Sequence, residues 1–271
     1  MDNALEDVTP PQYVPGSIRV EIVPDVVTEA DGPHPVHRAH ITWLVNENRT
    51  MGDGYSVHAY FNIPGSYSHQ NWGVVNSATS LAAVDITLTD FDLSGIYGVP
   101  SIMMIDAAGN RTTTVFANGP GYEAVTSAAV VTTNPDTQAP EVSLNEVPEQ
   151  GLHQIQISAQ PTHPEAPDGE TLVTIRYQAR DDKSGLGQVV YRLLDPQGLS
   201  HRDYHYHDNF YTTFFQGDPT AWKDYTIHLV LPTGSAPGTW GLQELVVSDK
   251  AGNQQLYDFV EIMHFEVSAA P

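Results

Sequence analysis

Gly238-Thr239-Trp240-Gly241-Leu242-Gln243-Glu244-Leu245-Val246-Val247-Ser248-Asp249-Lys250-Ala251-Gly252-Asn253 has an earlier version in the same chain: Gly95-Ile96-Tyr97-Gly98-Val99-Pro100-Ser101-Ile102-Met103-Met104-Ile105-Asp106-Ala107-Ala108-Gly109-Asn110. Equivalent residues stand 143 positions apart throughout, as Asp106 and Asp249 do. A repeat at that distance denotes two copies of one domain, not a short-period solenoid. Asp-x-Ala-Gly-Asn lies between two strand-like runs. Asp at the first position of a type I turn and Gly at the fourth suit a hairpin loop with a left-handed glycine. Gly109 and Gly252 are therefore expected at positive φ. In the preceding run the apolar residues are Tyr97, Val99, Ile102 and Met104, and Trp240, Leu242, Leu245 and Val247. The period of two slips by one in both copies. A β-bulge near Pro100-Ser101 and near Gln243-Glu244 restores one inward face. Tyr97 and Trp240 are then equivalent inward residues.

Outward from the repeat, the chain reads as short strands. Apolar residues make up 40% and charged residues 16%, with 20 Pro and 21 Gly, a turn-rich composition that predicts almost no helix. Strand signals run over 18–23, 39–45, 56–63, 83–89, 97–105 and 111–116. They resume over 141–144, 154–158, 171–179, 188–194, 224–231, 239–248 and 254–267, the last with a break. Such spacing argues for an antiparallel sandwich in each half. Residues 1–16, with Pro10, Pro11, Pro15 and Gly16, read as an N-terminal tail or linker. The polar stretch 132–140 marks the boundary between domains 17–135 and 136–271.

Three elements resemble those of bacterial immunoglobulin-like and fibronectin type III-like domains. They are the opening Asp136-Thr137-Gln138-Ala139-Pro140, the element Asp182-Lys183-Ser184-Gly185-Leu186, and the closing hairpin Gly238 to Asn253. The second half carries all three. The first carries the closing hairpin clearly, and has Asn46-Glu47-Asn48-Arg49-Thr50-Met51-Gly52-Asp53-Gly54 at the place of Asp-x-Ser-Gly. The resemblance implies an all-β chain of two tandem antiparallel immunoglobulin-like β-sandwiches. It also implies tandem modules of a longer secreted or surface-anchored protein, and carries no catalytic residues.

Charge narrows the partners. Lys and Arg total 11 against 33 Asp and Glu, a net charge of −22. That field repels nucleic acid and attracts divalent cations. With no cysteine, disulfides, thiol nucleophiles and Cys-based zinc sites are excluded. No apolar run reaches the length of a membrane span, so membrane insertion is not expected. Met1-Asp2-Asn3-Ala4-Leu5-Glu6-Asp7 lacks the basic and apolar regions of a signal peptide. By the resemblance, the sequence is expected to be a piece of an exported chain, secreted or at the cell surface.

Two groups of residues are candidate metal ligands. Asp181, Asp182 and Asp249 offer hard oxygens suited to calcium, if the loop after strand 171–179 meets the final hairpin. Otherwise Asp249 accepts backbone N–H bonds in its turn and the other two are solvated. In His201-Arg202-Asp203-Tyr204-His205-Tyr206-His207-Asp208, a strand puts His201, Asp203, His205 and His207 on one face. Three imidazoles and a carboxylate suit a transition metal, although residues two apart on a strand lie about 6.5–7 Å apart, so not all four reach one ion without bending. The plainer reading is a solvent-facing polar stripe backed by buried tyrosines. The aromatic run His205–Phe215, with Trp222 and Tyr225, either stacks on sugar rings or packs in a core or loop.

These readings give a non-catalytic structural or adhesive pair of modules, with no required cofactor and calcium as the candidate ion. The expected partners are other domains of the parent chain and a cell-surface glycan or protein. One alternative is a carbohydrate-binding accessory module of a secreted hydrolase. The other is a metal-dependent enzyme using His201–Asp208.

Overall fold

The computed structural model describes residues 7–48, 50–52, 54–63, 68–116, 126–207, 212–259 and 263–268. They divide into two compact units, Met1–Pro135 and Asp136–Pro271. The fold is all-β: apart from one 3₁₀ turn at Pro148–Gln150, every element among the described residues is a strand. All strand pairings among the described residues are antiparallel.

The first unit contains β1 Gln12–Tyr13, β2 Arg19–Glu29, β3 Gly32–Asn46, β4 Val57–Phe61, β5 His69–Asn76, β6 Leu81–Leu88, β7 Gly95–Gly98, β8 Ser101–Ile105, β9 Arg111–Val115 and β10 Ser127–Val130. One eight-stranded sheet runs β1-β3-β6-β5-β4-β8-β9, with β2 also on β3, and β7 pairs with β10. Part of the segment read as a tail is therefore strand: Gln12 and Tyr13 pair with Asn46 and Val45. Alternate residues of β3, β4, β6 and β8 point to one face. There Ile41, Trp43, Val57, Phe61, Ile86, Leu88, Ile102 and Met104 are buried together.

The second unit contains β11 Glu141–Val142, β12 Gln156–Pro161, β13 Thr171–Arg180, β14 Leu186–Leu194, β15 Ser200–Tyr206, β16 Lys223–Leu231, β17 Gly238–Asp249, β18 Gln254–Asp258 and β19 His264–Val267. It keeps two separate sheets. In one, β13 takes β11, β12 and β16; in the other the order is β15-β14-β17-β18, with β19 also on β17. Val173, Ile175, Tyr177 and Ile227 from the first meet Val189, Leu193, Leu242 and Val247 from the second in one core.

The register slip read from the repeat is present in both units. Arg192 pairs with Glu244 but Leu193 with Leu242, which leaves Gln243 without an opposite residue. In the first unit β7 ends at Gly98 and β8 begins at Ser101, with Pro100 at the position equivalent to Gln243. Proline there forfeits no ladder bond, because the bulged position uses only its carbonyl: Gln243 O accepts from Phe259 N at 2.9 Å and Pro100 O from Phe116 N at 2.8 Å. Tyr97 and Trp240 are both buried, at 2% and 3% exposure. Each ring also donates to the carbonyl four residues upstream, Tyr97 Oη to Leu93 O at 2.9 Å and Trp240 Nε1 to Ala236 O at 2.8 Å.

Candidate metal centre

The two Asp-x-Ala-Gly-Asn hairpins are built bond for bond alike. Asp249 Oδ1 accepts the Asn253 backbone N–H at 2.8 Å, and its Oδ2 accepts Asn253 Nδ2–H at 2.7 Å. Asp106 accepts both bonds from Asn110 at 2.8 Å. The glycines take the left-handed conformation, with φ of +87° at Gly109 and +91° at Gly252. The same Asn amide reaches the segment that opens each unit. Asn253 Nδ2 donates to Asp136 O at 3.2 Å, and Asn110 Nδ2 donates to Asp7 O at 2.9 Å. Asp7 and Asp136 also match in their own turns, each accepting at Oδ1 from the N–H two residues on, Thr9 or Gln138, at 3.1 Å. Asp7-Val8-Thr9-Pro10-Pro11 is thus the first unit's version of Asp136-Thr137-Gln138-Ala139-Pro140.

These contacts gather carboxylates. Asp136, Asp181 and Asp249 each offer an oxygen, all within 4.8 Å of one another. Asp7, Glu47 and Asp106 do the same in the first unit, Glu47 following β3 as Asp181 follows β13. In the second unit all three residues are buried, at 1%, 4% and 5% exposure. Asp182 is exposed and lies outside the triad. The loop turns at Asp181, whose Oδ2 accepts from Lys183 N at 3.2 Å and Gly185 N at 2.7 Å, and Asp182 is left at the rim beside Asp136. Asp136 takes the place in the triad that the sequence reading gave to Asp182.

Ser184 and Gly185 join the parts of this pole. Ser184 N donates to Asp136 Oδ2 at 2.9 Å, and Ser184 Oγ accepts from Ala251 N at 3.3 Å. Gly185 has φ of +82°, and a Cβ on it would lie 2.2 Å from the Phe215 ring, so only glycine fits. Burial, reinforced by the charges of Asp136 and Asp181, pushes Asp249 up to about 8 against the pull of its Asn253 bonds. Burial likewise raises Asp181, with Asp136 and Asp182 adding to it.

The histidine stripe does not converge. On β15, His201, Asp203 and His205 pair with Leu193, Tyr191 and Val189, which belong to the core. They therefore sit on the core side of this sheet edge. Tyr204 and Tyr206 face outward, 48% and 44% exposed, the reverse of a buried tyrosine stripe. The reason is register: Val190 and Gln188, the partners of the tyrosines, lie on the outer face. Each polar residue has its own partner. His201 Nε2 lies 3.1 Å from Asp195 Oδ2, with its ring 5.2 Å from Trp240. Tyr191 O–H donates to Asp203 Oδ2 at 3.4 Å. His207 Nε2 meets the Tyr177 hydroxyl at 2.5 Å, and its ring lies 4.5 Å from Tyr225 and 4.8 Å from His205. Burial, with the neighbouring His205, holds His207 down at about 4. Among the described residues no three ligating atoms of this stretch come together; Asp208 lies outside the described residues. Of the aromatic run, Phe215 and Tyr225 pack against the core, Arg180 sits over Trp222, and 208–211 lie outside the described residues.

No protein family model matches the chain, and no curated protein does. Among solved structures, a leucine-rich repeat protein from Bacteroides thetaiotaomicron is similar at 12% identity, with a TM-score of 0.21. The match covers 82% of this chain and 24% of that one. A likeness at that score carries nothing about fold or function.

Proposed function

We propose that the chain is a pair of immunoglobulin-like β-sandwiches serving as non-catalytic structural or adhesive modules of a larger secreted or surface-anchored protein. The observation that carries the reading is the doubled aromatic anchor. Tyr97 lies on β7, just before β8 enters the first closing hairpin, and Trp240 lies near the start of β17; each bonds to a carbonyl four residues back. Immunoglobulin-like sandwiches place an aromatic in this way at the corner entering their penultimate strand. Strand order in the second unit supports it too. Strands β11, β12, β13 and β16 form one sheet, opposite β15, β14, β17, β18 and β19, a division similar to the two-sheet partition of such domains. The compartment and the partners, neighbouring domains and a cell-surface glycan or protein, rest on the sequence resemblance.

Stretching the intact chain from its two ends tests the modular role. Two separate unfolding events are expected, one for each unit, each releasing about 45–50 nm at ~3.5 Å per residue. A single event releasing the whole chain overturns it.

Carbohydrate binding is favoured by one specific feature, the outward Tyr204 and Tyr206 on β15, with the Arg202 guanidinium 5.3 Å from the Tyr204 ring. Aromatic faces beside a polar fork suit sugar rings. A glycan panel on the intact chain and on Tyr204→Ala and Tyr206→Ala decides it. Binding lost in both variants transfers the function to glycan recognition; no binding leaves the structural reading. Metal-dependent catalysis on the histidine stripe has no comparable support, since its side chains are taken up separately.

A further inference from the structure

The triad of the second unit is more than a set of hydrogen-bond acceptors. Five of its six carboxylate oxygens have donors. Asp136 Oδ1 takes Gln138 N and its Oδ2 takes Ser184 N. Asp249 spends both oxygens on Asn253, and Asp181 Oδ2 receives two backbone N–H groups. Asp181 Oδ1 is buried with no donor at all, on a residue 4% exposed. A buried carboxylate oxygen without a donor is rare in folded proteins, because it has lost its water and gained nothing. Neither Asp136, Asp181 nor Asp249 forms an ion pair among the described residues. Three buried acids within 4.8 Å also repel one another far more strongly than they would in water.

We propose that Asp136, Asp181 and Asp249 bind a divalent cation, with Asp181 Oδ1 as one of its ligands, and that the cation is calcium. A single ion at 2.3–2.6 Å from each donor bridges oxygens separated by this much. The donors are all oxygen, without nitrogen or sulfur, which selects hard ions over zinc or copper. Magnesium holds its ligands at about 2.0–2.1 Å in a stricter octahedron, and suits three chain-fixed carboxylates less well. A depression of about 390 Å³, lined by Gln138, Ala139, Glu141, Arg180, Asp181, Asp182 and Thr220, opens beside Asp181 and gives the ion a way in. The three ligands come from the segment before β11, the loop after β13 and the end of β17. The ion therefore clasps the start of the second unit to two of its loops. The inference stands on this pole alone and does not depend on the sandwich reading.

The test uses the intact chain, calcium chloride and a chelator, at ionic strength matched with sodium chloride. Calcium at 100-fold its Kd is expected to raise the melting transition of the second unit by roughly 5–10 °C over chelator, and magnesium by less. Titration calorimetry of Asp181→Asn should show this binding event lost, while Asp182→Asn keeps it. In chelator Asp181→Asn should melt no lower than wild type, since a buried acid with an oxygen lacking a donor is replaced by a neutral amide; in calcium it should melt lower. Equal melting of wild type in calcium and in chelator overturns the proposal. So does an Asp181→Asn protein that keeps the whole calcium shift. If that variant does not fold, the wild-type comparison of calcium with chelator still decides.

Discussion

In the first unit β5 leaves β4 at Gly73 and continues along β6 through Val74, Val75 and Asn76. In the second, β15 stays on β14 to its end at Tyr206. The first unit's main sheet therefore runs on through β5, while the second keeps two sheets. The residue at the crossing explains the difference. A Cβ on Gly73 would lie 1.9 Å from the Ala83 carbonyl oxygen, so β5 reaches β6 only because nothing projects there. Gly73 pairs with Val57, and its counterpart His205 pairs with Val189; with a side chain at that point β15 keeps to β14. The Asp-Asn bonds of the two hairpins and their ties to Asp7 and Asp136, by contrast, are the same in both units. Closure of the sheets varies between the copies, and the tie between opening segment and closing hairpin does not.

The strongest test of that contrast is Trp240→Ala. The ring is buried, stacks on Phe265 at 6.2 Å and anchors the corner through Ala236. Its loss should cost about 3–5 kcal/mol, read as a lowered urea midpoint of the second unit. A change below about 1 kcal/mol would show that the corner does not hold this unit.

Next is an acid effect confined to the second unit. Two residues after Gly73 stands Val75; two after His205 stands His207, against Tyr177 and Tyr225. The neutral imidazole shares a hydrogen bond between Nε2 and the Tyr177 hydroxyl. The folded pKa is about 4, below its ordinary 6.5, through burial and the neighbouring His205. The unfolded chain therefore takes up this proton first. The stability tied to neutral His207 is complete above about pH 6.5 and is lost as pH falls towards 4, by about 3 kcal/mol at most. Asp181 and Asp249 act with the opposite sign. Their raised folded pKa values contribute stability at low pH that is lost as pH rises through them. The difference between wild type and His207→Phe isolates the histidine. It should move in favour of the variant between pH 7 and pH 4, and a flat difference would remove His207 from the account.

Gly73→Ala addresses the crossing itself. The clash is with backbone, so β5 must move, at a cost of about 1–3 kcal/mol. Hydrogen exchange should accelerate at Val74, Val75 and Asn76 before it does elsewhere in the unit. Unchanged exchange there would mean that the glycine does not decide closure.

Local features were legible in the sequence; assembled ones were not. The positive φ at Gly109 and Gly252 and the slip at Pro100 and Gln243 depend on neighbours along the chain, and the repeat displayed each twice. Antiparallel β structure followed from strand length and turn residues. The acidic pole depends on residues more than forty positions apart. Asp182 looked like a ligand because it adjoins Asp181, and the loop turns it outward. Asp136 stands in the opening motif, where no acidic neighbour in sequence marks it as a ligand. Asp7 was hidden in a segment whose prolines suggested a tail, although Asp7-x-Thr9-x-Pro11 carries the spacing of Asp136 to Pro140. Glu47 had one available signal, its place directly after a strand, as Asp181 follows β13. The outward tyrosines depend on which residue of β14 each one faces, and alternation along β15 alone cannot say which side is core. β5 carries little apolar alternation in His69-Gln70-Asn71-Trp72 and went unread.

The smallest expected effect sharpens the comparison most finely. Tyr97→Phe keeps the buried ring, stacked on Phe61 at 5.2 Å, and removes only the hydroxyl that donates to Leu93 O. Burial and the nearby Asp92 raise the Tyr97 pKa, so the hydroxyl stays a donor at any ordinary pH. The Leu93 side of the bond is near solvent, with that residue 37% exposed, and water can replace the lost donor. The cost should therefore be about 1 kcal/mol, measured as a shift in the first unit's unfolding transition. Trp240→Phe removes a donor and also part of a ring, so it should cost more than Tyr97→Phe. If Tyr97→Phe costs nothing, the first corner is held by packing alone. The match between Tyr97 and Trp240 then reduces to ring burial, and the doubled anchor no longer supports one frame for both units.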